Sequence, residues 1–300
     1  MLKNLKYSLL LLSAFIISCS SGGGTGDGGK NNGNQSVTVY DLKYPMAMPM
    51  VSGHRGAKNY KESPENCLET FDMIRAKMPC IIECDVASSK DGILLLMHDK
   101  EINRTTTGSG RVVDLNGEDI LSLNLLDKDG QLSPYKVPSF EEVLDWAIKT
   151  ETILSVDMKR SVDFEDVVDL VRLKKAENWV MLISYTLRQA SSIYAYAPEL
   201  MQSVSIRNLE EHHMWKQSKI PSNRTIAFTG TRRSPKELYD KLHADGVACI
   251  FGTLGNIDRQ AKSKGSMVYE ELLDKGVDII ASDRPLEVYE VLENRQKKGL

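Results

Sequence analysis

The chain has 300 residues and a formal net charge of −3, with 41% hydrophobic and 26% charged residues. This length fits one large domain or two small ones. The composition is that of a soluble globular protein, and the small negative net charge creates no positive electrostatic field that would attract nucleic acid. We therefore expect no nucleic acid among its partners.

The first 18 residues have the pattern of a secretory signal. Lys3 and Lys6 precede an apolar run over residues 7–17, which is too short for a comfortable membrane span. Residues 15–19 resemble the processing site of bacterial lipoproteins, in which the cysteine becomes the first mature residue. We therefore expect Cys19 to carry lipid and to anchor the protein in the bacterial cell envelope, on either the periplasmic or the outer surface. A plain signal peptide with an incidental cysteine is the alternative.

Residues 19–45 are predicted to be a flexible linker, because their first part is rich in Gly, Ser and Asn and has almost nothing to bury. The folded domain is then predicted over residues 46–300. Its four cysteines, Cys67, Cys80, Cys84 and Cys249, lack zinc-site spacing, and we expect buried free thiols.

The domain alternates short apolar runs with amphipathic stretches, which indicates parallel βα units. About eight such units would close a TIM (β/α)8 barrel, with a doubly wound open sheet as the competing architecture. There are nine candidate strands and the barrel needs eight, so we expect one candidate to lie off the barrel. We predict that residues 225–228 are this extra strand. The candidates cover residues 50–54, 80–86, 94–98, 153–158, 180–185, 203–206, 225–228, 248–251 and 278–282.

Two further features concern the connections. The stretch between residues 98 and 153 is longer than a loop and one helix require, so it predicts a small insertion after an early strand. Ser63 followed by Pro64 predicts a helix over 65–76, and Ser139 with Glu142 predicts a capped helix start.

Polar residues interrupt the ends of the apolar strands. Glu83 and Asp85 are two residues apart on the second candidate strand and share one face, and Asp157 ends the fourth. In a parallel barrel these strand ends converge at one mouth. Carboxylates that meet there repel each other unless a cation neutralises them, and oxygen ligands favour Mg²⁺ or Ca²⁺.

Basic groups accompany the acidic ones at the same strand ends. Arg55 and Lys159 would bind an anion, and a guanidinium matches phosphate in a bidentate way. His54 and His98 would exchange protons near neutral pH. A metal, two cations and two histidines together predict hydrolysis of a phosphate ester.

The chain resembles the glycerophosphodiester phosphodiesterase family over nearly the whole domain, in the order and approximate spacing of its motifs. The matching segments are residues 53–56 (GHRG), 64–66 (PEN), 70–71 (TF), 83–86 (ECDV), 91–92 (DG), 97–99 (MHD), 104–106 (RTT), 137–144 (VPSFEEVL), 157–159 (DMK), 276–278 (GVD) and 282–285 (SDRP).

This resemblance implies a TIM barrel with an early insertion, a divalent cation, and hydrolysis of glycerophosphodiesters to glycerol 3-phosphate and an alcohol. The implied roles are metal ligation by Glu83, Asp85 and Asp157, acid/base catalysis by His54 and His98, and phosphate binding by Arg55 and Lys159. It also implies that Glu65 and Asn66 brace the first loop, with ordinary helix-start chemistry as the alternative.

The chain departs from the family at three places. Asp157 stands where the family usually has glutamate, and Ser282 replaces a threonine. Residues 251–256 (FGTLGN) replace an aromatic motif on the seventh strand. Two other functions remain open: a related barrel phosphodiesterase acting on an intact phospholipid or a phosphosugar, and a non-catalytic lipoprotein that binds phosphorylated ligands.

Overall fold

The computed structural model describes residues 37–61 and 63–299. The predicted signal, Cys19 and most of the predicted linker lie outside these residues. In the described part, no helix combines the length and apolar character needed to cross a bilayer.

Eight parallel strands form the sheet of the domain: β1 Met50–Gly53, β2 Ile81–Ser88, β6 Leu154–Met158, β7 Val180–Ser184, β8 Met201–Ser205, β9 Thr225–Phe228, β10 Cys249–Gly252 and β11 Ile279–Ser282. They close into a barrel in the order β1, β11, β10, β9, β8, β7, β6, β2, with β2 pairing back to β1. The fold is therefore a TIM barrel, and the prediction of this architecture is confirmed.

Helices connect the strands and cover the outside of the barrel. Their bounds are α1 Leu68–Arg75, α2 Gly117–Leu121, α3 Phe140–Thr150, α4 Phe164–Lys174, α5 Leu187–Tyr196, α6 Leu209–Gln217, α7 Lys236–Ala244, α8 Asn256–Lys264, α9 Met267–Leu273 and α10 Pro285–Lys297. Helix α3 begins as predicted: the Ser139 hydroxyl accepts from the Glu142 N–H at 3.2 Å, and the Glu142 carboxylate accepts from the Ser139 N–H at 2.8 Å.

The prediction that residues 225–228 lie off the barrel is wrong. That segment is β9 and pairs in parallel with both β8 and β10. Of the nine candidate strands, the one off the barrel is β3 (Leu94–Leu96), which runs antiparallel to the end of β2. Short apolar runs look alike in sequence whether their neighbours are parallel or antiparallel, so periodicity did not separate the two.

The predicted insertion is confirmed. After β3 the chain forms α2 and a two-stranded antiparallel sheet of β4 (Asn124–Leu126) and β5 (Leu132–Lys136) before α3 returns to the barrel. A separate small apolar cluster, including Leu95, Ile102, Ile120 and Leu125, holds this insertion together.

Two boundaries differ from those predicted. The folded part starts before residue 46, because Val39 and Leu42 are buried in the main core. Helix α1 begins at Leu68 and not at residue 65, since Asn66 has a left-handed φ of 53° that interrupts a helix. The four cysteines are free and buried, as expected.

Candidate active site

Three carboxylates meet at the carboxyl ends of β2 and β6. Asp85 and Asp157 are direct register partners on these neighbouring strands, and Glu83 lies two residues before Asp85 on the same face. One oxygen from each lies within 4.8 Å of the others, and all three residues are buried. The sequence-based expectation that these side chains converge is therefore confirmed as geometry.

Lys159 lies against two of these carboxylates. Its Nζ is 2.6 Å from Asp85 Oδ1 and 2.6 Å from Asp157 Oδ2. Burial lowers the pKa of Lys159, but the two carboxylates outweigh it, so the pKa lies above its ordinary value. For Asp85, burial is outweighed by Lys159, Arg55 and Asn66, which together bring its pKa below the usual value.

Glu83 behaves in the opposite way. Burial, followed by the charge of Asp85, raises the pKa of Glu83 well above its ordinary value. The cluster therefore holds more negative charge than Lys159 and Arg55 neutralise, which disfavours ionisation of Glu83.

The residues present fit a divalent cation. Asp157 Oδ1 is buried and has no hydrogen-bond partner among the described residues. A buried carboxylate oxygen without a donor is costly unless a cation completes its coordination. Three converging oxygen ligands are the set that Mg²⁺ and Ca²⁺ prefer.

His54 follows β1 directly and lies beside the carboxylates. Its Nδ1 is 2.6 Å from Asp283 Oδ1, and its Nε2 is 3.9 Å from Glu83 Oε2. In the neutral imidazole, Nδ1 therefore carries the hydrogen that Asp283 accepts, and Nε2 remains the basic nitrogen.

His98 reaches the same pocket by a different route. Strand β3 returns antiparallel to β2, and the Met97 N–H donates to the Asp85 carbonyl at 2.9 Å. His98 Nδ1 lies 2.7 Å from Asp99 Oδ1. Burial lowers the pKa of His98 below its ordinary value, although Asp85 and Asp99 act in the other direction.

Arg55 is held in a tight turn after β1. Its φ of 53° is left-handed, and its backbone N–H donates to Glu83 Oε2 at 2.7 Å. Its guanidinium donates to Glu65 Oε1 at 2.9 Å and lies 3.5 Å from Asp85. The turn thereby keeps a buried guanidinium next to the acidic cluster.

Three residues that contact the site lie outside the predicted catalytic, phosphate-binding and metal-binding sets. Asn66 donates to Asp85 Oδ2 at 2.7 Å and accepts from the Asp85 N–H at 3.0 Å. Together with the contact between Glu65 and Arg55, these hydrogen bonds favour the prediction that Glu65 and Asn66 brace the first loop over the alternative of ordinary helix-start chemistry. Asp99 directly follows His98 in a family-like motif, and this position was an available signal. Asp283 also lies in such a motif, but 229 positions along the chain from His54, so its pairing was not predicted.

The pocket between these groups has a volume of about 200 Å³. Its lining also includes the apolar side chains of Ile183, Phe228, Ile250 and Leu254, together with Tyr185. In the segment that departs from the family pattern, Phe251 is fully buried in the core, and Leu254 faces the pocket instead.

A second group of metal-binding residue types lies at the opposite end of the barrel. His243, Cys249 and Asp278 also have ligand atoms within 4.8 Å of one another. Here Asp278 Oδ2 accepts from the Cys249 N–H at 2.7 Å and lies 2.9 Å from His243 Nε2. These contacts form a hydrogen-bond network that joins α7 and β10 to the residue before β11.

A closed (β/α)8 barrel with acidic, basic and imidazole groups at the carboxyl ends of its strands defines a barrel enzyme for an anionic substrate. Residues 54–287 match the model of the glycerophosphoryl diester phosphodiesterase family. The chain therefore belongs to this family of phosphoric diester hydrolases.

Individual relatives agree with this assignment. The chain is 26% identical to a glycerophosphodiester phosphodiesterase of Caldanaerobacter subterraneus subsp. tengcongensis over 83% of this chain and 98% of that protein. It is 30% identical to the uncharacterized protein YqiK of Bacillus subtilis over 52% of this chain and 66% of YqiK. A crystal structure of a glycerophosphoryl diester phosphodiesterase from Parabacteroides distasonis superposes with a TM-score of 0.79 at 31% identity, covering 85% of this chain and 90% of that one.

Proposed function

We propose that the protein hydrolyses glycerophosphodiesters to glycerol 3-phosphate and an alcohol, with the help of a divalent cation. The observation that carries this proposal is the convergence of two histidines and three carboxylates on one pocket at the barrel mouth. Family membership supports the reaction class. A protein that only binds phosphorylated ligands has no need of two acid/base groups.

The roles follow from the chemistry of each group. A cation held by Glu83, Asp85 and Asp157 would supply positive charge next to the phosphoryl oxygens. Lys159 and Arg55 bind the phosphate and offset the charge that grows on it during the reaction.

His54 and His98 provide the proton transfers. One histidine removes a proton from the nucleophile, which is water or a neighbouring glycerol hydroxyl, and the other protonates the leaving alcohol. Asp283 and Asp99 each offer a carboxylate to Nδ1 of the histidine that they contact, which orients the imidazole.

The test is an assay of the purified protein on glycerophosphocholine and glycerophosphoethanolamine. We expect glycerol 3-phosphate as product, loss of turnover in EDTA, and recovery with Mg²⁺ or Ca²⁺. Failure to hydrolyse any glycerophosphodiester in the presence of either ion would refute the proposal. Turnover of an intact phospholipid or a phosphosugar instead would identify a related barrel phosphodiesterase.

Variants test the histidine roles. His54→Ala and His98→Ala should each lower kcat by at least about 100-fold, because one proton transfer loses its group. His213→Ala is the matched control, since His213 lies on α6 and contacts only Gln217 by the hydrogen bonds described. If either pocket variant keeps the activity of the control, the corresponding histidine is not an acid/base group.

We also propose that lipid on Cys19 anchors the protein in the bacterial envelope, through the linker that follows. The pattern of residues 15–19 supports this. The wild type should fractionate with membranes and incorporate labelled fatty acid, whereas Cys19→Ala should do neither. Membrane fractionation of the variant together with fatty acid incorporation would contradict the proposal.

A further inference from the structure

The insertion reaches the active site through a chain of charged side chains. Asp99 Oδ1 lies 2.7 Å from His98 Nδ1, and Asp99 Oδ2 accepts from Arg104 Nε at 2.6 Å. Arg104 then donates with both terminal nitrogens to Glu65, at 2.9 and 2.7 Å. Glu65 Oε1 also accepts from Arg55 at 2.9 Å. One unbroken series of ionic hydrogen bonds therefore joins His98 to Arg55.

The central members of this series are strongly stabilised in their charged forms. The hydrogen bond from Arg104 is the largest cause that lowers the pKa of Asp99 to about 2. Burial acts to raise the pKa of Glu65, but Arg104 and Arg55 outweigh it and bring that pKa below the ordinary value. Both carboxylates are therefore ionised acceptors over the whole physiological range.

Arg104 links two parts of the fold by ionic hydrogen bonds. It lies in the insertion, whereas Glu65 and Arg55 lie in the loop after β1. The planar Arg104 guanidinium donates three hydrogen bonds to two carboxylates. It therefore holds these carboxylates in a fixed relative geometry, which an ammonium group does not do. The side chain of Arg104 is half exposed, so its location at the rim is not explained by core packing.

We propose that Arg104 is a positioning residue, which aligns His98 through Asp99 and Arg55 through Glu65. This inference rests on the proposed function, in which His98 transfers a proton and Arg55 binds the phosphate. Loss of the Asp99 contact should chiefly disturb the imidazole and lower kcat. Loss of the Glu65 contact should chiefly release the Arg55 guanidinium and raise KM.

The experiment compares three variants on glycerophosphocholine at saturating cation. Asp99→Asn should lower kcat by about 10- to 100-fold with little change in KM, and Glu65→Gln should mainly raise KM. Arg104→Lys keeps the charge but does not span both carboxylates, so it should change both parameters. Arg111→Lys is the matched control, because Arg111 lies on the same insertion and its ion pair among the described residues is with exposed Asp114.

The outcomes separate the possible explanations. If Arg104→Lys has the kcat and KM of Arg111→Lys, the positioning role is refuted. If Arg104→Lys is less thermally stable than the control, its kinetics do not test positioning, and the kcat of Asp99→Asn is the test instead. A kcat of Asp99→Asn equal to that of the wild type would overturn the inference. Absence of wild-type turnover would refute the proposed function itself, which is a different result from equal activities of the two lysine variants.

Discussion

At the scale of single residues, the acidic cluster combines groups with opposite tendencies. Asp85 is held ionised by Lys159, Arg55 and Asn66, whereas burial and neighbouring negative charge favour a proton on Glu83. A site with this arrangement is prepared for a cation but is unfavourable without one. Binding of the proposed cation would therefore compete with protonation of Glu83.

This predicts that the affinity for Mg²⁺ or Ca²⁺ rises with pH and that binding releases a proton. The folded-state pKa of Glu83 lies above its ordinary value, so its contribution to stability is present at low pH and is lost as the pH rises through that pKa. The metal-free protein should accordingly lose stability over the same range in which its cation affinity grows.

Calorimetric titrations in buffers of different ionisation enthalpy would measure the released proton. Glu83→Gln should abolish the proton release and make the metal-free protein less sensitive to pH. An affinity that stays constant from acid to neutral pH would show that Glu83 is already ionised before the cation binds.

At the scale of structural elements, the loop after β1 has little freedom. Gly56 has a φ of 82°, and a Cβ at this position would lie 2.4 Å from two ring carbons of Phe71. Its N–H donates to the carbonyls of Gly53 and Glu83, at 3.1 Å each. The turn that presents His54 and Arg55 therefore depends on the absence of a side chain.

We expect Gly56→Ala to destabilise the protein by about 2–5 kcal/mol, since backbone strain and a steric clash add together. It should also lower kcat/KM, because the displaced loop carries His54 and Arg55. The matched control is Gly92→Ala, where φ is 84° but no described residue beyond its chain neighbours lies within 4 Å of an added Cβ. That variant should lose only about 1 kcal/mol and keep its activity.

Urea unfolding and steady-state kinetics of both variants would check this prediction. Equal losses of stability at the two glycines would mean that Phe71 moves aside without cost. Full activity in a destabilised Gly56→Ala would mean that the loop geometry does not matter for the reaction.

The elements also show how far sequence patterns reach. The placement of Glu83, Asp85 and Asp157 follows from two-residue spacing and from parallel strands ending at one mouth, both of which are local rules. The route of His98 was not predictable in this way, because β3 is antiparallel and returns the chain to the mouth from above. Its arrival in the pocket agrees with the family resemblance, not with the assumed parallel strand.

At the scale of the whole molecule, the unpredicted contacts share one property. His54 and Asp283 touch although 229 residues separate them, and Arg104 reaches Glu65 across 39 residues. Propensity and periodicity describe neighbours within a few turns of chain, so they contain no information on such pairs. The order in which the strands close the barrel, with β9 among them, also depends on contacts between residues far apart in the sequence.

The contact between His54 and Asp283 has a consequence for how the protein comes into being. Strand β1 is the first strand of the barrel, and β11, which immediately precedes Asp283, is the last. A chain that is still growing from its amino end holds His54 long before it holds the carboxylate that orients this imidazole. The active site is therefore completed only after the last barrel strand has been made, and shorter products of translation carry the histidine without its partner.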